Sequence, residues 1–208
     1  MTEENFYDHY KDTCGQLKRY NAKRDRLTLY LIICLALFVF CLTNPDVITA
    51  AVNNYINSGK PIIKINFAVL NSLLVYVTAY IALQYYQLCL TIERTYRYIK
   101  VLEEELSKDE YKITREGKDY AKNYPLLGNI ANIFYAWGIP LVTTILAIIR
   151  IKTEFNENFS LKIVDSIGLL FIIIISLAYL SDRNLYWGRI AKKNYSLCDR
   201  IKGFLNIG

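Results

Sequence analysis

Apolar residues collect along this chain into four long blocks that charges avoid: 27–42, 67–90, 126–149 and 163–180. They are 16, 24, 24 and 18 residues long, and a helix needs roughly 17–25 apolar residues to cross the hydrocarbon of a bilayer. The last three meet that length. The first is marginal, and would be extended by Val47–Val52 if Pro45 only kinks the helix. A soluble protein would spread its apolar residues in short periodic pieces instead. The pattern predicts an all-α fold, an integral membrane four-helix bundle in a single domain, with helical extensions outside the membrane.

Helical periodicity continues past the blocks. Phe6, Tyr10, Cys14 and Leu17 recur at three- and four-residue steps, so an amphipathic helix is expected to run into the first span despite Gly15. The segment 43–66 is expected to hold a short helix capped by Asp46 and stopped near Gly59. Beyond Leu90, the residues Ile92, Tyr96, Ile99, Leu102 and Leu106 make one apolar stripe, with Arg94, Arg97, Lys100 and Glu103 to Glu105 between them. From Leu90 to Leu106 that helix would project about 24 Å. Thr114 is a candidate cap for another short helix, and Pro125 marks entry to the third span. Leu197, Ile201, Phe204 and Leu205 repeat the helical spacing near the end of the sequence. The segments 1–26, 91–125 and 182–208 cannot each form a core. They are expected to pack into a helical layer beneath the membrane rather than lie flat on the headgroups.

Charge orients the spans. The segments 1–26, 43–66, 91–125, 150–162 and 182–208 carry 6, 2, 8, 3 and 6 Lys or Arg residues. Basic residues favour the cytoplasmic side, so the alternation places both termini in the cytoplasm and the protein in an inner (plasma) membrane, as a multi-pass protein. The net charge of +6 then reflects topology and anionic lipid, not direct nucleic-acid binding. The polar stretch 1–26, with Glu3, Glu4, Asp8, Asp12 and Asp25, argues against a cleaved signal peptide.

Polar residues inside the blocks are the candidate functional positions, because in hydrocarbon they face other helices or water. Asn129, Asn132, Ala136, Pro140 and Thr143 share one face of the third span, within about 80° on a straight helix. Pro140 is expected to bend that helix and free a carbonyl. Asp165, Gly168, Ser176 and Tyr179 share a face of the fourth span that Arg183 continues, and Tyr76, Tyr80, Gln84 and Gln87 share a face of the second. Each face reads either as a helix interface glued by amides and small residues or as the lining of a polar path. Asp165 is the ionisable residue closest to an apolar core.

Catalytic signals are missing. The one histidine, His9, lies in the N-terminal segment, and the chain holds no zinc-protease, nucleophile-elbow or phosphate-loop motif. Cys14, Cys34, Cys41, Cys89 and Cys198 have neither metal-ligand spacing with a histidine nor a place in the outer loops. We expect no enzyme, cofactor, metal or disulfide framework.

The stretch Ile92–Leu106, then Ile113-Thr-Arg-Glu-Gly117 and Tyr124-Pro125, is similar to small four-span bacterial membrane proteins of antiphage systems, such as the Kiwa membrane subunit or the four-span accessory protein of some RNA-targeting CRISPR loci. The resemblance covers the layout and some 35 residues, and it carries over no functional residue. The polar span faces and the cytoplasmic helical layer lead us to expect a homo-oligomeric, channel-like membrane effector, and the resemblance implies a setting in antiviral defence. The alternative is a membrane scaffold or sensor that docks a soluble cytoplasmic partner through Ile92, Tyr96, Ile99, Leu102, Leu106, Leu197 and Ile201. Membrane lipids are partners on either reading.

The basic-residue count makes topology directly testable. A reporter fused after Gly208 or inserted near Lys108 is expected to read cytoplasm, and one near Ser58 the far side. A far-side signal at Gly208 alone would mean an odd number of spans.

Overall fold

The computed structural model describes residues 3–57, 67–107, 126–154 and 163–183. All the elements described are helices, and four of these helices are long and apolar enough to cross a membrane. Helix α1 runs unbroken from Glu3 to Thr43 and passes through Gly15. It ends at Asn44, whose backbone N–H bonds back to the Phe40 carbonyl. Pro45 does not kink α1. It opens a separate helix, α2 (Pro45–Asn57), where its missing N–H costs nothing and Asp46 sits in the first turn. Helix α3 (Phe67–Leu106) is 40 residues long, with no Gly or Pro. The third span starts as α4 (Leu126–Ile133), passes through one π-helical turn at Phe134–Gly138, and continues as α5 (Ile139–Glu154). The fourth span is α6 (Ile163–Arg183).

Helices α1 and α3 form an antiparallel hairpin about 60 Å long at 1.5 Å per residue. Its length exceeds the membrane, so it meets two solvents. Toward the start of α1, Tyr10 and Leu17 are buried against Leu88, Ile92, Ile99 and Leu102, with Phe6, Cys14, Tyr96 and Leu106 packed around them. This is an arm of two helices. Further along, all four spans join the core. One cluster holds Leu31, Ala82, Tyr85, Tyr86, Cys89, Ile139 and Tyr179. The next holds Phe38, Val75, Ala79, Ala147, Leu169 and Ile172.

The outside of the bundle is apolar. Leu29, Ile33 and Leu37 on α1, Leu141, Ile145 and Ile148 on α5, and Ile167, Leu170 and Ile174 on α6 are all exposed. Hydrocarbon is as apolar as these side chains, so exposing them at that depth has no hydrophobic cost. Holding the helices together falls instead to close packing and internal hydrogen bonds. Ala79, Ala82 and Gly168 supply the close packing. A Cβ at Gly168 would lie 2.7 Å from Cγ1 of Val75, so α6 approaches α3 there as only glycine permits. The Tyr76 hydroxyl donates to the Val164 carbonyl at 2.8 Å beside the same contact.

Gly168→Leu should force α6 off α3 at this point. Overpacking of this kind costs roughly 1–3 kcal/mol, and we expect that loss of stability in reversible unfolding in bicelles. An unchanged unfolding midpoint would show that the approach is not needed.

Candidate functional site

Pro140 makes the first demand on the site. In the π turn the N–H of Ile139 bonds the Phe134 carbonyl five residues back. In the same register Pro140 would bond the Tyr135 carbonyl, but proline has no N–H. The orphan acceptor is met from outside the helix: the Tyr85 hydroxyl of α3 donates to the Tyr135 carbonyl at 2.7 Å. The Tyr135 ring is covered in turn by the Arg24 guanidinium of α1, 4.3 Å from its centroid. Arg24 is held there by Asp25 at 2.9 Å.

One residue on, Tyr86 ties three spans together. Its hydroxyl lies 2.9 Å from both Thr143 Oγ1 and Ser176 Oγ, which are themselves 3.5 Å apart. Thr143 also donates to the backbone of its own helix, at Ile139 or Pro140. The protons therefore balance: Thr143 donates to its backbone, Tyr86 to Thr143, and Ser176 to Tyr86. Tyr179 stacks on Tyr86 at 4.8 Å, and its hydroxyl accepts from Arg183 Nη1 at 3.3 Å. Arg183 Nε lies 3.3 Å from Glu93 Oε1, an ion pair between α6 and α3 in which Arg183 is buried and Glu93 half-buried.

Near the other end of the same two helices, Asn71 Nδ2 donates to Asp165 Oδ2 at 3.2 Å, both side chains being buried. Asp165 Oδ1 has no hydrogen-bond partner among the described residues. Asn71 and Tyr86 are about 22 Å apart along α3, so the two polar sites are separate. Between them lies a void of about 10 Å³ edged by Leu35, Phe38, Thr78 and Thr143. That is room for one water at most.

In the arm, the Tyr10 hydroxyl donates to Glu103 Oε1 at 3.2 Å in a buried contact, and His9 Nε2 and the Tyr98 hydroxyl share a hydrogen bond of 2.8 Å. Burial pushes the Tyr10 phenol above its ordinary value, with Cys14 and Glu103 adding to it, which keeps the donor protonated.

The candidates named from sequence thus separate. Thr143 and Ser176 meet at Tyr86, and Asp165 meets Asn71. Tyr80 is 64% exposed, Gln84 is half-buried and Gln87 exposed, so this part of the expected polar face of α3 turns away from the bundle, while Tyr76 at its start bonds Val164 of α6. Asn132 is also exposed. The single face expected on a straight third span is split, because a π turn adds a residue and rotates what precedes it by about 100°. The Asn129 side chain lies outside the described residues, as do Leu197 and Ile201. Ile92, Ile99 and Leu102 are buried by α1, and Tyr96 and Leu106 half-buried, so this stripe is occupied within the chain rather than open as a dock.

Asn71, Tyr85, Tyr86 and Glu93 went unnamed in the sequence reading, although a signal existed. Asn71, Val75, Thr78, Ala82, Tyr85 and Cys89 recur at alternating steps of four and three, as the outward face does. Pro140 also announced an orphan carbonyl that a hydroxyl had to meet.

Tyr85→Phe leaves the Tyr135 carbonyl without a donor and should cost about 1–3 kcal/mol. Tyr86→Phe should cost less, near the 0.6 kcal/mol average for interhelical bonds in membranes, since Thr143 keeps its backbone partner. In a Pro140→Ala background no carbonyl is orphaned, and Tyr85→Phe should become nearly neutral. Equal losses in both backgrounds, by unfolding in bicelles, would remove this account of Tyr85.

No protein-family model matches the chain, and comparison with curated proteins and with solved structures returns no match either.

Proposed function

We propose that this chain is a homo-oligomeric, channel-like effector of a bacterial inner membrane, with both termini in the cytoplasm, and that it serves antiphage defence. On this reading the α1–α3 arm receives a signal in the cytoplasm and passes it to the spans. The observation that carries it is the continuity of arm and span. Both helices of the arm enter the bundle without interruption, and α3 has neither Gly nor Pro along its 40 residues. Kinks need such residues or an inserted bulge. Displacing one arm helix against the other therefore moves Tyr85 and Tyr86, and with them the contacts that hold α5 and α6. A four-helix bundle of this size has room for side chains but little for a pore, so on this reading permeation runs between copies.

The second reading, a scaffold or sensor for a soluble partner, is supported by the charged outer surface of the arm. Arg94, Arg97 and Lys100 on α3 and Lys18, Arg19 and Lys23 on α1 all face outward. A partner on this reading meets charge rather than the apolar stripe.

Ion flux from liposomes holding the purified protein separates the two. Leu102→Asp places a charge in the arm's buried contact, and we expect it to change the leak relative to wild type while the spans stay folded. Absence of flux from both proteins would sink the channel reading. Capture of a soluble protein that Arg94→Glu with Arg97→Glu abolishes would then favour the scaffold.

A further inference from the structure

Helix α3 carries two stripes of alternating three- and four-residue spacing, offset by two residues and so about 200° apart. One is buried in the bundle. The other, Leu73, Val77, Tyr80, Gln84, Gln87 and Thr91, lies exposed or half-exposed on the outside. Steps of four and three sustained over six positions keep one face of a helix against a parallel neighbour.

The chemistry of the outer stripe sets it apart. At hydrocarbon depth α5 and α6 present aliphatic side chains such as Ile145 and Ile174, and α1 presents Ile33 and Leu37 with one phenol, Tyr30. Helix α3 presents the Tyr80 phenol and the Gln84 amide on one stripe, with Gln87 following toward the arm. Gln84 and Gln87 flank Tyr85 and Tyr86, which bond Tyr135, Thr143 and Ser176. Arg24 over the Tyr135 ring marks the water-facing edge of that level, so Gln84 lies just inside it and Gln87 at it. Neither glutamine side chain makes a hydrogen bond among the described residues. Lipid tails offer no partner, and an unmet amide in hydrocarbon costs several kcal/mol.

We propose that this stripe is the seam along which two copies of the chain pair, α3 against α3, around a two-fold axis normal to the membrane. The inference deepens the homo-oligomeric reading above and rests on it. A second copy is the matching occupant for two reasons. Copies inserted with one topology run parallel, so a two-fold axis sets each residue of the seam opposite itself. An amide both donates and accepts, so glutamine is its own complement: Gln84 meets Gln84 of the other copy, and Gln87 likewise. The seam also has an end. Past Thr91 the next residue of the pattern is Arg94, which would face its own copy. The seam therefore closes at span depth, and the arms diverge beyond it.

Cysteine cross-linking of the full-length protein in native membranes tests the placement. Gln84→Cys and Gln87→Cys, each with Cys198→Ser, should give an oxidant-dependent dimer. Ile145→Cys on α5 and Ile174→Cys on α6, in the same background, should not. Dimers from the α5 or α6 positions alone would overturn the seam while leaving an oligomer in place. No cross-link at any position, with a monomer's mass in nanodiscs, would overturn the oligomeric reading as well. Cross-linking to a different protein would replace the second copy by that partner and overturn the proposal. In the chain without added cysteines, Gln84→Leu with Gln87→Leu should weaken dimerisation about tenfold by energy transfer between labelled copies in liposomes. An unchanged dimer fraction would show that the amides do not pair.

Discussion

Within hydrocarbon every polar atom must find its partner in protein, and Pro140 brings that constraint to a point. A proline ten residues inside a span leaves a carbonyl that lipid cannot satisfy. The π turn at Phe134–Gly138 moves the vacancy to Tyr135, and Tyr85 fills it from α3. Once Tyr85 is committed, Tyr86 on the same turn reaches Thr143 and Ser176. That brings α5 and α6 onto α3, and Tyr179 and Arg183 extend the contact to Glu93. One missing N–H thus places α3 at the centre of the bundle.

The same hairpin is held by different forces at its two ends. In the arm, burying Leu17, Ile99 and Leu102 removes apolar surface from water, at about 25 cal/mol per Å². In the spans that force is absent, because Leu31 or Leu169 is as comfortable in lipid as in the bundle. Hydrogen bonds and the glycine contact of Gly168 with Val75 take over. The change of solvent explains why the buried polar side chains of the spans, Asn71, Thr143, Asp165 and Ser176, concentrate on the inner faces of α3, α5 and α6.

Length and charge avoidance made the four spans legible, and the steps from Phe6 to Leu17 and from Ile92 to Leu106 made the arm's apolar faces legible. What they left open was which face turns inward. On α3 the Asn71–Tyr85 stripe and the Tyr80–Gln87 stripe have the same period, and period alone does not tell protein-facing from outward-facing amides. The outcome depended on Pro140, 50 residues or more away, which selected Tyr85. The split between Asn132 and Thr143 was equally hidden, since a straight-helix projection has no place for a π turn. The arm's partner was hidden for a simpler reason: an apolar stripe looks the same whether α1 or another protein covers it.

The energetics of the outer stripe bear on what kind of assembly it supports. Interhelical hydrogen bonds in membranes average about 0.6 kcal/mol, so a few amide layers fix register far better than they fix affinity. The aliphatic positions of the stripe, Leu73 and Val77, gain little by leaving lipid for a neighbouring helix. A seam made this way is specific and weak together. Its two copies would be held in one register but separated or rotated by a modest input of free energy. The α1–α3 arm can deliver such an input, because its apolar contact in water involves many more side chains than the seam has amides. With the proposed seam, strong coupling in the arm and weak coupling between copies would put the movable joint between copies rather than within one bundle.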